Sequence, residues 1–191
     1  VVIHLAALKH VGFSEGRPME AVKTNVLAVN TLIDCAISAE VESVVNTSTD
    51  KAVNPFSVMG TTKLMGEHLI RAANLASTST SFSSTRFGNV LGSSGSVVPI
   101  FRNQIENGAS LTLTSRDMTR FVMTLEDAAR LVLQSVSLSE GGETFITKMK
   151  TVRIEDLARA MIQMLLGTRD EEEVQKKITE IGARPGEKYF E

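Results

Sequence analysis

Short apolar runs and segments of helical spacing alternate along the first half of the chain. Residues 1–7 form an almost continuous apolar run, and residues 43–48 form a second run around two valines. Such runs are typical of strands buried on both faces of a parallel sheet. Residues 20–39 and 57–76 carry apolar positions at helical spacing, and residues 81–87 form a weaker strand. This order predicts a doubly wound, Rossmann-like parallel α/β sheet.

The second half of the chain has a more mixed pattern. Its predicted helices cover residues 97–107, 125–137, 154–166 and 170–177, and its short predicted strands lie near residues 111–114, 143–147 and 178–181. We expect this half to form a smaller mixed α/β lobe.

A glycine-rich turn is expected after the first strand of a doubly wound dinucleotide-binding domain, but the chain contains no G-x-G-x-x-G. Gly88, Gly92 and Gly95 have a different spacing and follow a late strand. We therefore expect the chain to begin inside the sheet, with the glycine-rich turn upstream. The residue that would distinguish NAD from NADP is expected in the same upstream part. The sequence also leaves open whether that part contains a membrane segment.

Composition narrows the class of partner. The chain has 191 residues, of which 42% are hydrophobic and 22% charged, which is enough to build a core. A net charge of −2 argues against nucleic acid as a partner, although a locally basic site could still bind a small anion. The single cysteine, Cys35, lies in an apolar helical pattern and is predicted to be a buried, reduced thiol of a cytoplasmic protein. His10 and His68 have no second ligand at metal spacing, so no metal site is expected.

A group of polar residues follows the second predicted strand. Residues 47–51 read Thr-Ser-Thr-Asp-Lys and lie just past the carboxyl end of that strand, the edge at which open α/β sheets bind ligands. Lys63 lies on the next helix, four residues after Met59, so both side chains point to one face. The apolar side of that helix is predicted to contain Val58, Leu64, Met65, Leu69 and Ile70. A proton donor and a base could therefore lie together, but a solvated turn beside an ordinary surface lysine explains these residues equally well.

Five stretches occur in order along the whole chain: His4–Val11, Ser48–Pro55, Thr85–Pro99, Met118–Thr124 and Gly182–Lys188. Together they resemble the polysaccharide biosynthesis proteins. These form a branch of the extended short-chain dehydrogenase/reductases that contains the 4,6-dehydratases of UDP-N-acetylglucosamine.

One position departs from the general pattern of the extended short-chain dehydrogenases. They carry Y-x-x-x-K on the helix that contains Lys63, and Met59 stands where the tyrosine is expected. Methionine is a recurring variant in the dehydratase branch, so the departure leaves open which group takes the proton from the C4 hydroxyl. A methionine that only packs against its neighbours is equally compatible with the sequence.

The resemblance implies a cofactor, NAD or NADP, and a three-step reaction. The oxidised cofactor takes a hydride from C4 of the sugar. A base then removes the C5 proton while an acid protonates the departing C6 hydroxyl, and the hydride returns to C6. Thr49 is implied to bind the C4 oxygen. Asp50 and Lys51 are implied as the acid–base pair, with Asp50 also a candidate C4 base, and Lys63 is implied to hydrogen-bond the nicotinamide ribose.

The resemblance also implies two larger sets of residues and two domains. The domains are residues 1–97, the C-terminal part of the dinucleotide-binding domain, and residues 98–191, mainly a substrate-binding lobe interleaved with it. Arg120 and Arg184 belong to the substrate set and are natural partners of a diphosphate, although for each arginine alone a surface salt bridge is the commoner explanation. A homo-oligomer is expected. The implied cofactor set is Ala6, Ala7, Lys9, Asn25, Thr47, Ser48, Lys63 and Phe87, and the implied substrate set is Asn89, Val98, Pro99, Arg120, Arg184 and Glu187.

Two alternatives stay open. One is another extended family member, a nucleotide-sugar 4-epimerase or a hexose 4,6-dehydratase, although those enzymes keep the tyrosine. The other is a catalytically silent NAD(P)-binding module, although such a module has no need of Asp50, Lys51 and Lys63 together. Formation of a 4-keto-6-deoxy sugar would separate a dehydratase from an epimerase or a silent module.

Overall fold

The computed structural model describes residues 1–190, which form nine strands and eight α-helices. A π-helical turn at Lys23–Leu27 joins the second and third helices, and a 3-10 turn at Asp50–Ala52 follows the second strand. The strands are β1 (Val2–His4), β2 (Ser43–Thr49), β3 (Ser81–Phe87), β4 (Asn89–Val90), β5 (Leu111–Leu113), β6 (Thr119–Met123), β7 (Thr144–Ile146), β8 (Lys150–Arg153) and β9 (Ile178–Glu180). The helices are α1 (Val11–Gly16), α2 (Pro18–Val22), α3 (Ala28–Ser38), α4 (Val58–Ala76), α5 (Val97–Glu106), α6 (Leu125–Leu138), α7 (Ile154–Leu166) and α8 (Glu171–Lys176).

The chain divides into two compact units. The first contains Val1–Phe87, Glu126–Lys148 and Pro185–Glu187, and the second contains Gly88–Leu125, Met149–Arg184 and the chain from residue 188. The chain enters the second unit at Gly88, before the predicted boundary at 97/98, and returns to the first unit for most of α6 and for β7. The functions assigned to the two domains stay predictions.

The first unit is built on a four-stranded parallel sheet in the order β1-β2-β3-β7. In this register His4 lies beside Asn46, Asn46 beside Ser84, and Ser84 beside Thr144. Because all four strands run in one direction, their carboxyl ends meet at one edge of the sheet. The prediction of a Rossmann-like parallel α/β fold is confirmed.

One face of this sheet packs against α3 and α4. Val44 of β2 and Phe82 of β3 are fully buried there, and they pack with side chains of both helices: Val29, Ile33, Ala36, Ile70 and Ala73. Burying such side chains contributes about 1.5–3 kcal/mol each, so this cluster fixes α4 on the sheet.

Three details of the first unit differ from the prediction. The run at residues 1–7 is not a buried strand: only Val2–His4 pair, and Ile3 is 38% exposed, because β1 lies at the edge of the described sheet. Cys35 is exposed, because α3 turns Val29, Ile33 and Ala36 inward and Cys35 lies on its outer side. The short helix α1 was not predicted.

The buried side of α4 was predicted only in part: Ile70 is 2% exposed as expected, but the other predicted positions are not fully buried. Leu64 and Leu69 are half-buried, and Met65 is 48% exposed. The side that faces inward is largely polar or small, with Met59, Gly60, Thr62, Lys63, Gly66, Glu67, Ile70 and Ala73. The helix turns its first half toward a polar environment and only its second half toward the apolar cluster.

The second unit contains two small sheets, β4-β6-β8 and β5-β9. Its core is formed mainly by α5, α7, α8 and the β5-β9 pair, with Phe101, Ile105, Leu111, Leu113, Met118, Ile154, Ala158, Ile162, Val174 and Ile178. The four helices predicted in the second half of the sequence, α5 to α8, are confirmed to within two residues at each end. Strands β4, β6 and β8 were missed because they are short, with β4 and β6 mostly half-buried and β8 mostly exposed. Within residues 1–190, no helix is both long and apolar enough to span a membrane.

Candidate active site

The turn after β2 brings a hydroxyl, a carboxyl and an ammonium group together at the carboxyl edge of the sheet. Thr49 Oγ1 donates to Asp50 Oδ1 at 2.9 Å, and Lys51 Nζ donates to the same oxygen at 3.0 Å. Thr49 Oγ1 also accepts a hydrogen bond from the backbone N–H of Lys51 at 3.4 Å. The structure thus brings these three predicted residues into one hydrogen-bonded group.

Asp50 is buried in this turn and is only 8% exposed. Its Oδ1 receives both side-chain donors, whereas its Oδ2 is buried and has no hydrogen-bond partner within residues 1–190. A buried carboxyl oxygen without a partner is energetically unfavourable unless something binds it. Asp50 therefore keeps one oxygen available for a ligand or for a proton.

Lys63 lies on the second turn of α4 and is 7% exposed. Its Nζ donates to the carbonyl oxygen of Thr47 at 2.5 Å. Burial lowers the pKa of Lys63 from its ordinary value to about 8, although the attraction of Glu67 raises it in part. The ammonium group is therefore mostly charged at neutral pH but close to its titration point.

His4, at the end of β1, responds to the same charge. Its pKa is lowered first by burial and then by the positive charge of Lys63, so its imidazole is neutral at pH 7. Its Nε2 is buried without a partner in the described part of the chain.

Met59 precedes Lys63 by one helical turn on the same buried side of α4 and is 4% exposed. It occupies the position where an extended short-chain dehydrogenase has its tyrosine, and it brings no group that can exchange a proton. Of the side chains in the neighbouring turn, Asp50 can take over that role.

Asn25 lies in the π-helical turn and is 1% exposed. Its Oδ1 accepts from the N–H of Leu8 at 2.8 Å, and its Nδ2 donates to the Leu8 carbonyl at 3.0 Å and to Thr62 Oγ1 at 3.1 Å. This side chain fixes the loop after β1, which contains the exposed Ala6 and Ala7. Single-turn π-helical insertions are frequent at functional sites.

The start of α4 is anchored at three points. Ser57 Oγ accepts from the N–H of Gly60 at 3.1 Å, which caps the helix. Glu15 of α1 accepts from the N–H of Val58 at 2.7 Å, where a negative charge also complements the helix dipole. A Cβ atom on Gly60 would lie less than 3.0 Å from the carbonyl oxygen of Lys51, so the helix approaches this turn as closely as glycine allows.

The remaining predicted cofactor residues also lie at or near the carboxyl edge of the sheet. Thr47 Oγ1 donates to the His4 carbonyl at 2.9 Å, and Ser48 Oγ is buried without a partner in residues 1–190. Lys9 is exposed in the loop after β1, and Phe87 is half-buried at the last position of β3.

The predicted substrate residues are more dispersed. Asn89 lies in β4, Val98 and Pro99 lie in the first turn of α5, and all three belong to the second unit. Arg184 is exposed in the second unit, and the half-buried Glu187 belongs to the first.

Arg120 makes a structural contact that was not predicted. Its guanidinium donates to the carbonyls of Thr119 at 2.7 Å and Lys188 at 2.8 Å, and it therefore holds the C-terminal segment against β6. Its role with a diphosphate stays a prediction.

The sequence analysis also missed an ion pair close to Lys63. Arg86 of β3 donates to both carboxyl oxygens of Glu67 on α4, at 2.9 Å and 2.6 Å. The helical spacing of Lys63 and Glu67 could have indicated that they share a face, but nothing in the sequence pattern indicated that this face is buried. Within residues 1–190, no group of three or more His, Cys, Asp or Glu side chains is placed to hold a metal ion.

Comparison with known proteins gives several relatives. The chain is 50% identical over 193 residues to an uncharacterized membrane protein of Methanocaldococcus jannaschii, and covers 58% of that protein. It is 43% identical over 193 residues to a UDP-N-acetylglucosamine 4,6-dehydratase (inverting) of Campylobacter jejuni, and covers 54% of it. It is also 43% identical over 192 residues to a UDP-glucose 4-epimerase of Rickettsia akari, again covering 54%. Each match includes 100% of this chain, which spans little more than half the length of these relatives.

Solved structures share the fold. Pen from Bacillus thuringiensis superimposes with a TM-score of 0.88 at 45% identity, over 98% of this chain and 58% of that one. The dTDP-glucose 4,6-dehydratase DesIV of Streptomyces venezuelae, determined with NAD bound, superimposes with a TM-score of 0.87 at 21% identity, over 98% of this chain and 62% of that one. At this lower identity the likeness shows the fold alone. The family model described as polysaccharide biosynthesis protein matches residues 1–191, and the chain belongs to that family.

Proposed function

We propose that the protein is an NAD(P)-dependent 4,6-dehydratase that converts UDP-N-acetylglucosamine to a UDP-4-keto-6-deoxy sugar for surface polysaccharide or glycan synthesis. The observation that carries this proposal is the Thr49–Asp50–Lys51 group at the carboxyl edge of the sheet. Elimination of water across C5 and C6 needs a base and an acid together, and this turn supplies both types of group. The Campylobacter jejuni relative named for this reaction supports the choice of substrate.

The residues at this edge fit a nicotinamide cofactor. Ala6 and Ala7 are small and exposed in the loop that Asn25 fixes, so a ligand can approach their backbone. The Lys63 ammonium and the Ser48 hydroxyl can donate hydrogen bonds to a ribose. When bound, the nicotinamide supplies the acceptor for the C4 hydride and the donor that returns it to C6. We infer NAD or NADP as the cofactor; DesIV, which shares the fold, was determined with NAD bound.

The side chains of the turn then divide the proton transfers. Lys51, as the neutral amine, removes the proton from C5 and returns a proton to C5 when the hydride reaches C6. Asp50 delivers the proton it has taken from the C4 hydroxyl to the departing C6 hydroxyl, which leaves as water. Asp50 Oδ1 accepts from Thr49 and Lys51, whereas Oδ2 has no donor within residues 1–190, so Oδ2 is the oxygen that can hold this proton. Thr49 binds the C4 oxygen, and Asp50 also takes the C4 hydroxyl proton in place of the absent tyrosine.

A 4-epimerase is the second candidate. The Rickettsia akari relative, named UDP-glucose 4-epimerase, is as similar to this chain as the dehydratase relative is. An epimerase needs acid–base chemistry only at C4, and it leaves the C5 proton and the C6 hydroxyl in place. The two candidates therefore differ in whether Lys51 has any substrate proton to remove.

The test is product analysis by NMR in D₂O with the full-length gene product, NAD or NADP, and either UDP-N-acetylglucosamine or UDP-glucose. A dehydratase releases water and gives a 4-keto-6-deoxy sugar with deuterium at C5. An epimerase gives the C4 epimer with its C5 proton retained. If the protein binds cofactor but changes neither sugar, the proposal fails in favour of a silent binding module.

Met59→Tyr is expected to retain a substantial fraction of the activity, with a similar pH profile. If Asp50 already accepts the C4 proton, the added phenol is not required, and its hydroxyl finds Thr49 or Lys63 as a partner. The measurement is kcat against pH for the wild type and the variant. An increase of roughly 10²–10⁴-fold, the size typical of general base catalysis, would show that the wild type has no competent C4 base. Met59→Phe is the matched control, because it adds the ring without the hydroxyl.

A further inference from the structure

Glu67 and Arg86 form a buried ion pair between α4 and the sheet. Glu67 is 3% exposed, and the side chain of Arg86 is 19% exposed. Both nitrogen–oxygen distances, 2.9 Å and 2.6 Å, belong to one two-pronged contact, which is the strongest geometry of an arginine–carboxylate pair. The hydrogen bonds that Arg86 donates to Glu67 raise the pKa of Arg86, so the guanidinium stays charged throughout the working range of pH.

Stability alone is a weak reason for such a pair. Removing two charges from water carries a penalty that often exceeds their attraction, and apolar residues of similar volume commonly hold a helix to a sheet as well. This chain already does so one turn further along α4, where Ile70 packs in the apolar cluster with Val44 and Phe82. The ion pair lies instead at the point where α4 carries Lys63.

Glu67 follows Lys63 by four residues, so the two side chains are neighbours on one side of the helix. Both are buried, and the attraction of Glu67 raises the pKa of Lys63 against the opposing effect of burial. One carboxylate thus interacts with two cations, in direct contact with Arg86 and through space with Lys63.

Other charged groups near α4 are engaged elsewhere. Lys51 pairs with Asp50, and Glu15 accepts from the backbone at the start of the helix. Glu20 and Lys23 form an exposed pair, and Asp34 accepts from Asn30 on α3. On the sheet, His4 is the titratable group that senses the charge of Lys63, and it is neutral at pH 7. Glu67 is the charged group that shifts the pKa of Lys63, and Arg86 is the cation in direct contact with its carboxylate.

We propose that Glu67 and Arg86 are positioning residues that together set the charge state of Lys63, whose role at the cofactor rests on the proposed function. Glu67 keeps the buried ammonium protonated, and Arg86 limits that effect because its own charge partly neutralises the carboxylate. The two residues act on Lys63 in opposite directions, although they form a single contact.

If the two residues act oppositely on Lys63, removing each charge should move the titration midpoint of Lys63 in opposite directions. Two residues with a merely structural role would not give this result. Lysine labelled with ¹³C at Cε is incorporated into the full-length gene product, and the Lys63 resonance is assigned by its loss in Lys63→Met. The wild-type midpoint is expected near pH 8 without substrate or added cofactor. Glu67→Gln should lower this midpoint, and Arg86→Gln should raise it, each by about one pH unit, as expected when a unit charge is removed near a buried group.

Two further variants keep the test decisive if an uncharged variant folds poorly. Arg86→Lys preserves the positive charge without the two-pronged contact, so its midpoint should stay near that of the wild type. Glu126→Gln removes a carboxylate from an exposed pair with Arg130 on α6 and should leave the midpoint unchanged. Circular dichroism of every variant reports whether the fold is kept.

Midpoints that move in the same direction in Glu67→Gln and Arg86→Gln, or that stay within about 0.3 pH unit of the wild type, would overturn the proposal. Because the titration needs no turnover, its outcome is independent of the proposed reaction. Opposite shifts in a protein that forms no 4-keto sugar would uphold the electrostatic assignment and refute the dehydratase function. In an active enzyme, the alkaline limb of the kcat profile should move with the same signs.

Discussion

Replacing Lys51 with methionine is expected to lower turnover by roughly 10²–10⁴-fold, the loss that follows removal of a general base. Methionine keeps the length and the apolar stem of the side chain, so the fold and cofactor binding should remain. Lys51 Nζ lies 3.0 Å from Asp50 Oδ1, and the side chain is 19% exposed, so its amino group lies at the edge of the turn and can reach a substrate. The measurements are kcat and the exchange of the C5 proton with solvent in D₂O. The exchange should cease in the variant.

The matched control for this change is Lys23→Met, which removes an exposed lysine that pairs with Glu20. It is expected to leave both turnover and exchange unchanged. A Lys51→Met enzyme that turns over within tenfold of the wild type, about 1.4 kcal/mol in barrier, would show that another group removes the C5 proton. Asp50→Asn should then be measured for exchange, because Asp50 is the neighbouring group able to accept a proton.

The parallel sheet could be predicted from the sequence because its signal is local. Two valines in β2 and the helical spacing after it are enough to place a buried strand before a helix. Thr49 is the last residue of this strand, and the position of Asp50 and Lys51 just past its end then follows from the geometry of parallel sheets. What the sequence could not indicate is that Asp50 Oδ1 receives two donors while Oδ2 receives none within residues 1–190.

The buried side of α4 was predicted correctly at Ile70 but wrongly in the first half of the helix, for a physical reason. Apolar spacing favoured Leu64 and Met65, but the inward side of this helix contains Thr62, Lys63 and Glu67. These polar groups are satisfied by partners far along the chain: Asn25 for Thr62, the Thr47 carbonyl for Lys63, and Arg86 for Glu67. Hydrophobic periodicity cannot detect a face that is buried through hydrogen bonds, and such faces are expected where a fold departs from local rules to build a site.

Close packing between α4 and the turn after β2 places Lys51 relative to Met59 and Lys63. The structure permits this approach only because residue 60 has no side chain, since a Cβ atom there would meet the Lys51 carbonyl oxygen and also the Cβ atom of Pro55. Neither obstacle is the flexible end of a side chain. The turn and the helix must therefore separate if residue 60 becomes larger.

Gly60→Ala is accordingly expected to lower the free energy of unfolding by about 1–3 kcal/mol, as overpacking does. It should also reduce kcat by roughly 10²-fold, since a displacement of about 1 Å in a catalytic group has effects of that size. Urea unfolding and turnover of the purified variant measure the two effects. Gly12→Ala on α1 is the matched control: nothing lies within 4 Å of its new Cβ, so alanine should be neutral or stabilise that helix by about 0.5–1 kcal/mol. A Gly60→Ala protein with wild-type stability and activity would mean that close contact with the helix is not what positions Lys51.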